Sequence, residues 1–149
     1  MRAAILQEIG KVEMVDLPDP SPGEGEVLVR VRSVKMCRSD IHYYKHGRIG
    51  PTQVVTEPIV LGHEPAGEIA ATGPGVTRVR EGDRVAIEPA VSCGRCPRCI
   101  EGRQNLCPDV VFLGTPPYHG AYREYLVLPE ANVERIPDTM DFDTAALLE

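Results

Sequence analysis

Four of the five cysteines lie in one short stretch with the spacing C-x2-C-x2-C-x7-C. This spacing is typical of a structural zinc site, because four thiolates complete a tetrahedral shell and leave no position for a substrate. An iron–sulfur cluster is the alternative, since four thiolates also hold one. Disulfides are disfavoured because the cysteine count is odd and closely spaced cysteines are awkward to join. We expect a structural zinc lobe at about residues 90–110, its ligands being Cys93, Cys96, Cys99 and Cys107.

The fifth cysteine, Cys37, stands far from that cluster and suggests a second site. Its natural partners are His63 and Glu64, in the segment Gly-His-Glu-Pro-Ala-Gly. Thiolate, imidazole and carboxylate are the ligand types of a catalytic zinc site, in which three protein ligands leave a position for water or substrate. Spacing alone does not show that the three residues meet. A lone cysteine is most often buried filler, and a His-Glu pair is common.

Short alternating segments surround these candidate ligands and indicate a mainly β, barrel-like domain. Residues 27–34 alternate apolar and polar side chains, as expected of a half-buried strand. The fourteen glycines, fourteen prolines and absence of Trp fit many short strands and turns. Further strands are predicted at residues 2–7, 12–17, 59–61, 67–71, 84–88 and 121–128.

Two short helices are predicted beside the strands. The first spans residues 38–45, with Ser39 or Asp40 as its cap, and cannot continue past Gly47. The second begins near residue 144, with Asp141 or Asp143 as its cap, and runs to the last residue. It lacks a stop signal, so we expect that the chain continues in a larger protein.

Length and composition limit the class of protein. The 149 residues are 42% hydrophobic and 26% charged, as expected of one soluble globular domain. The net charge of −6 disfavours a nucleic-acid partner. No apolar run reaches the ~18 residues of a membrane helix, and no secretory signal is visible, so we expect a cytoplasmic protein.

Three segments together resemble the zinc-containing medium-chain dehydrogenases. Gly62 to Val76 fits G-H-E-x2-G-x5-G-x2-V, the segment that starts at Cys37 resembles the family's first-ligand segment, and the four-cysteine lobe matches in order and spacing. Residues 42–44, 47–50, 86–89 and 114–117 are most similar to the polyol branch, which includes the sorbitol, xylitol and L-iditol dehydrogenases.

The resemblance implies a GroES-like catalytic domain over residues 1–149, built as a partly open barrel. It further implies one catalytic and one structural zinc, NAD or NADP as cofactor, and oxidation of a small-molecule polyol to a ketose. A threonine or simple alcohol dehydrogenase is the near alternative. From other classes, a zinc-ribbon binding module with a basic patch at Arg95, Arg98 and Arg103, or a chaperonin-like structural protein, stays open.

Individual roles follow from the same resemblance. Glu64 becomes the third zinc ligand, with Glu149 beside the metal through water; in simple alcohol dehydrogenases these roles are exchanged. Ser39 becomes the hydroxyl that contacts the substrate oxygen, and His42 the outer member of a proton relay.

The resemblance also assigns residues around that site. Asp40 would orient the ligand histidine. Arg38 departs from the polyol dehydrogenases, which usually have Gly at this position; alcohol dehydrogenases with Arg there use it to bind the cofactor pyrophosphate, and the same role is expected of Arg38. Tyr43 and Phe112 would line the substrate pocket, although both could equally be core residues. His46 and His119 receive no role and are interpreted as surface residues.

No G-x-G-x-x-G fingerprint occurs in the chain. Family members are roughly twice as long and carry their dinucleotide-binding Rossmann domain after this segment. We therefore expect that domain after residue 149, expect residues 1–149 alone to be inactive, and expect the whole enzyme to be a homo-oligomer, either a dimer or a tetramer.

Overall fold

The computed structural model describes residues 1–149 and consists mainly of strands, which confirms the mainly β prediction. All strand pairings are antiparallel. The strands are β1 (Arg2–Glu8), β2 (Lys11–Asp16), β3 (Glu26–Lys35), β4 (Arg48–Ile49), β5 (Gln53–Val54), β6 (Ile59–Val60), β7 (Glu64–Thr72), β8 (Arg84–Ile87), β9 (Ala90–Val91), β10 (Val111–Phe112), β11 (Tyr125–Pro129) and β12 (Val133–Arg135). The helices are α1 (Arg38–His46), α2 (Pro97–Ile100) and α3 (Phe142–Ala145), with 3₁₀ turns at Gln104–Leu106 and Glu130–Asn132.

The largest sheet has five strands in the order β11-β3-β7-β8-β12. A second sheet, β2-β1-β6, lies beside it, and the pairs β9–β10 and β4–β5 form small ribbons. The sheets do not close on themselves, in agreement with the partly open barrel that the resemblance implied. None of the helices is long and apolar enough to cross a membrane.

The main core lies against the five-stranded sheet. Val27 and Val29 on β3, and Leu126 and Leu128 on β11, are each at most 2% exposed. They alternate with more exposed neighbours because successive strand side chains point to opposite faces. Ten buried side chains form this cluster, which fixes β3 and β7 side by side.

The register between β3 and β7 positions the chemistry-bearing segments. Lys35, the last residue of β3, pairs with Glu64, the first residue of β7. Cys37 follows β3 and His63 precedes β7, so both residues lie at the same end of this strand pair. Two residues that are far apart in sequence meet because their strands are paired to this point.

Helix α1 is confirmed, but its cap differs from the prediction. Cys37 is the N-cap, and Asp40 lies one turn inside, where its carboxylate accepts the Cys37 N–H at 3.0 Å. Neither Ser39 nor Asp40 is the cap because the helix begins at Arg38, so that both residues lie within its first turn. At the other end Gly47 has a φ of 66° and donates its N–H to the Tyr43 carbonyl at 2.8 Å, which ends the helix where the sequence indicated.

The strand predicted at 121–128 begins only at Tyr125. The preceding residues bond instead to the segment before His63: Gly120 N–H donates to the Val60 carbonyl and Ala121 N–H to the Gly62 carbonyl. This approach needs a glycine, because a Cβ at position 120 would lie 2.2 Å from the Gly62 oxygen. We call residues 120–122 the crossing, because their N–H groups bond to the carbonyls of residues 60–62. The crossing holds this segment against the chain that carries His63.

The final helix, α3, ends earlier than predicted. Asp141 caps it, with Oδ1 accepting the Thr144 N–H at 2.6 Å. Ala145 and Ala146 are 2% exposed and pack with Ala66. The last residues, including Glu149, are not helical, so the expectation of a helix that runs to residue 149 is wrong.

Candidate metal centres

Cys37, His63 and Glu64 meet in the structure. One ligand atom from each lies within 4.8 Å of the others. Both His63 and Glu64 can face one point because His63 precedes the strand and Glu64 is its first residue. Gly62, with a φ of 90°, supplies the turn just before them. The donor set of thiolate, imidazole and carboxylate fits a zinc ion with one open position.

Asp40 holds the two ligand-bearing segments together. Its side chain is 4% exposed and accepts the N–H of Cys37 and the N–H of Gly62, both at 3.0 Å. Its Oδ1 lies 3.7 Å from His63 Nδ1. The carboxylate thus fixes the backbone on both sides of the site, in addition to lying beside the histidine that it was predicted to orient.

Tyr122 is a site residue that the sequence did not reveal. Its hydroxyl donates to Asp40 Oδ2 at 3.0 Å. Burial, then the charge of Asp40, raises the pKa of Tyr122, which therefore stays a hydrogen-bond donor. Its ring also lies over Gly62, where a Cβ would be 3.0 Å from it. No motif marks Tyr122, because it reaches Asp40 only through the crossing at residues 120–122.

Lys35 is the second residue that sequence reasoning missed. Its Nζ lies 2.6 Å from Glu64 Oε2, and the hydrogen bond with Glu64 raises the pKa of Lys35. The other carboxylate oxygen, Oε1, lies 3.9 Å from His63 Nε2. The ammonium group therefore stands directly beside the metal-ligand cluster.

Ser39 and His42, the two residues predicted to form a proton relay, occupy different environments. Ser39 Oγ is 3.4 Å from His63 Nε2, inside the site. His42 is exposed, and its Nδ1 lies 3.4 Å from the carbonyl oxygen of Arg48. They are three residues apart on α1 and so share one face of the helix. The structure places Ser39 at the ligands and His42 towards solvent.

The two residues predicted to line the substrate pocket, Tyr43 and Phe112, lie in different places. Phe112 lies beside the site, with its ring centre 5.5 Å from that of His63. Tyr43 is 2% exposed and packs with Leu6 and Leu61, so its position corresponds to the core role considered as the alternative. Arg38 is exposed in the first turn of α1.

Glu149 lies near the site but not in the ligand cluster. Partial burial, then the charges of Glu88 and Glu64, raises the pKa of Glu149, while His63 and Lys35 lower it. The carboxyl group is thus within electrostatic range of His63 and Glu64. The atoms that meet within 4.8 Å nevertheless belong to Cys37, His63 and Glu64.

The four clustered cysteines also converge, and none forms a disulfide. The Sγ atoms of Cys93 and Cys96 lie 3.9 and 3.5 Å from that of Cys99. Four thiolates at the ~2.3 Å bond length of a tetrahedral zinc are about 3.8 Å apart, so the spacing fits zinc. The lobe is an excursion between β9 and β10 rather than a free-standing zinc ribbon.

The thiol pKa values differ among the cysteines of this lobe. Backbone N–H groups of Arg95 and Cys96 lower the pKa of Cys93 to about 7. Burial raises the pKa of Cys99 to about 11. Thiolates so close together repel one another, and a bound cation would offset that repulsion.

The alcohol dehydrogenase GroES-like domain matches residues 23–138. The chain belongs to this family. Sorbitol dehydrogenase of Bacillus subtilis is 50% identical over 149 residues, which is 100% of this chain and 42% of that protein. A probable D-xylulose reductase A of Arthroderma otae is 47% identical over 97% of this chain and 41% of its own length. The chain thus spans about two fifths of the length of these relatives.

Solved structures of the family share the fold. An Escherichia coli oxidoreductase/dehydrogenase of unknown specificity has a TM-score of 0.88 at 44% identity, covering 98% of this chain and 42% of the other. A cobalt- and zinc-bound thermostable alcohol dehydrogenase from Pyrobaculum aerophilum has a TM-score of 0.82 at 32% identity, covering 99% and 43%. The GroES-like prediction is confirmed, and with it the zinc-type dehydrogenase family.

Proposed function

We propose that residues 1–149 are the zinc-binding catalytic domain of an NAD(P)-dependent polyol dehydrogenase that oxidises a secondary alcohol of a sugar alcohol to a ketose. The meeting of Cys37, His63 and Glu64 is the observation that carries the proposal. The identity of 50% with a sorbitol dehydrogenase and 47% with a probable xylulose reductase supports a polyol as the small-molecule substrate.

The residues of the site would have distinct roles in this reaction. Cys37, His63 and Glu64 would hold the catalytic zinc, which when bound supplies a Lewis acid that lowers the pKa of a substrate alcohol. Ser39 Oγ would receive the alcohol proton and pass it along α1 towards His42 and solvent. Asp40 keeps both ligand segments in place through its backbone bonds.

The four-cysteine lobe would hold the second, structural zinc. Four thiolates leave no open coordination position, so this ion stabilises the fold and takes no part in the reaction. The ~3.8 Å separation expected of thiolates on one zinc supports this assignment over isolated thiols.

The nicotinamide cofactor, NAD or NADP, supplies the two-electron acceptor of such a reaction. We propose that a Rossmann domain beyond residue 149 binds it, in keeping with the length of the relatives. Arg38 is exposed beside the site and suits a pyrophosphate, because a guanidinium matches phosphate oxygens in geometry and charge. Phe112, beside His63, would contact the substrate. We further propose a cytoplasmic homo-oligomer, either a dimer or a tetramer.

The decisive experiment measures metal and turnover on the full-length protein. We expect two zinc ions per chain and NAD(P)-dependent oxidation of sorbitol or xylitol. Cys37→Ser should remove one zinc and abolish turnover. Threonine and ethanol, assayed in parallel, represent the threonine and simple alcohol dehydrogenases, and faster turnover of either would replace the polyol assignment. One zinc per chain with no oxidation of any alcohol would contradict the proposal.

A further inference from the structure

Lys35 and Glu64 form an ion pair at the edge of the proposed metal site. They are directly opposed across β3 and β7, and Nζ lies 2.6 Å from Oε2. The Glu64 side chain is 6% exposed, whereas that of Lys35 is 38% exposed. A surface lysine therefore reaches inward to a carboxylate that is almost completely buried.

The two oxygens of Glu64 face different partners. Oε2 is fully buried, and the Lys35 ammonium group at 2.6 Å is its ion-pair partner. Oε1 is directed towards His63, 3.9 Å from Nε2. Lys35 thus occupies one oxygen and leaves the other directed towards His63.

We propose that Lys35 is a positioning residue for the catalytic metal: its ion pair with Oε2 turns Glu64 so that Oε1 faces the ion. This inference rests on the proposed function, since it assumes that Cys37, His63 and Glu64 bind a metal. A ligand carboxylate that is held in place loses less rotational freedom when the ion binds. Partners of this kind alter metal affinity by roughly ten- to a hundredfold when they are removed.

The alternative effect of Lys35 is to weaken metal binding, and the test separates the two effects by the direction of the change in affinity. The Lys35 cation could compete with the metal for the carboxylate, in which case its removal would strengthen binding. The distinct partners of Oε1 and Oε2 argue against competition, because the oxygen that Lys35 holds is not the one near His63.

The test uses Lys35→Met in the full-length enzyme, loaded with Co²⁺ or Zn²⁺ and titrated with a chelator. We expect affinity at the Cys37 site to fall ten- to a hundredfold. The absorption spectrum of cobalt bound at the Cys37 site should change in Lys35→Met, because Glu64 is no longer held in the same orientation, a change that a purely structural role would not produce. Lys35→Arg, which keeps the ion pair, should recover most of the affinity.

Arg32→Met is the matched control. Arg32 makes a 3.1 Å ion pair with Glu68 between the same two strands, but both side chains are more than a third exposed and the pair lies away from the ligands. Its loss should leave metal affinity unchanged. Unchanged or increased affinity in Lys35→Met would overturn the inference. If Cys37→Ser retains the full metal content of the wild type, the proposed metal centre itself fails, which is a separate result. Should Lys35→Met not fold, Lys35→Gln tests the same point.

Discussion

Tyr122 and Asp40 are 82 positions apart in sequence, yet the tyrosine hydroxyl donates to the buried carboxylate at 3.0 Å. This bond joins the crossing at residues 120–122 to the first turn of α1. Asp40 also accepts two backbone N–H groups, from Cys37 and Gly62. One carboxylate thus links three segments of chain around the proposed catalytic metal.

Replacing Tyr122 with Phe should lower the free energy of unfolding by about 1.5 kcal/mol. That value is the lower end of the range for hydrogen bonds to a charged group, because Tyr122 is only partly buried. Asp40 keeps its two backbone donors, so the fold should survive. Urea denaturation measures the change, and Tyr118→Phe, at an exposed tyrosine, is the control. Equal unfolding midpoints for Tyr122→Phe and Tyr118→Phe would show that the bond adds nothing.

Replacing Cys96 with Ser should remove the structural metal and leave the catalytic metal bound. The four-cysteine site is closed, so losing one thiolate weakens a site whose ion stabilises the lobe. We expect the melting temperature to fall by at least about 5 °C, while metal analysis still finds the ion at Cys37. Arg98→Ala, at an exposed α2 residue that is not a ligand, is the control. Loss of both metals with unchanged melting would contradict this division of roles.

His119 should make stability depend on pH. Its Nδ1 accepts the Val60 N–H at 3.1 Å, which requires an unprotonated nitrogen. Partial burial of the ring, then the charge of Arg123, lowers the pKa of His119, although the residue as a whole is exposed. The folded state therefore resists protonation, so this stabilisation is complete above the unfolded pKa of about 6.5 and is lost progressively as the pH falls below it.

The measurement compares urea midpoints of wild type and His119→Asn from about pH 8 to pH 5, across the range in which histidine titrates. Because asparagine does not titrate, the difference in stability between the two proteins should change below about pH 6.5, with the wild type losing more. His46→Asn, at an exposed histidine, should follow the wild type. Parallel curves for wild type and His119→Asn would exclude the effect.

The ligand types could be predicted from the sequence, but their meeting could not. The cysteine spacing indicated the four-thiolate lobe, and the alternation in residues 27–34 indicated β3. Whether Cys37 reaches His63 depends on the register of β3 with β7, which pairs Lys35 with Glu64. The sequence contains no local signal for that register.

The supporting residues were missed for the same reason. Tyr122 reaches Asp40 because residues 120–122 bond to the chain at residues 60–62 rather than continuing as a strand. His119 is exposed, as interpreted, but its bond from the Val60 N–H, which lies beside this crossing, was not foreseen. Alternation of side chains predicts local strands well, but it does not show where a strand is interrupted by a contact that is distant in sequence.

The choice between Glu64 and Glu149 as the third metal ligand is open to direct test. Glu64 is 6% exposed, and one of its oxygens lies with Cys37 and His63 in a single cluster. Glu149 lies beyond the end of α3, is exposed although its carboxyl group is partly buried, and is not among those ligand atoms. A ligand held at the start of β7 loses little freedom on binding an ion.

We therefore expect Glu64→Gln to empty the catalytic site while the four cysteines keep their metal. Glu149→Gln should retain both ions in the full-length protein, because a carboxylate that contacts the ion through water adds less to affinity than a direct ligand. Metal content per chain, measured after dialysis against a weak chelator, separates the two cases, and the matched Glu→Gln changes differ only in position. An empty site in Glu149→Gln together with a filled one in Glu64→Gln would exchange the two roles. The site would then resemble that of the simple alcohol dehydrogenases rather than the polyol branch.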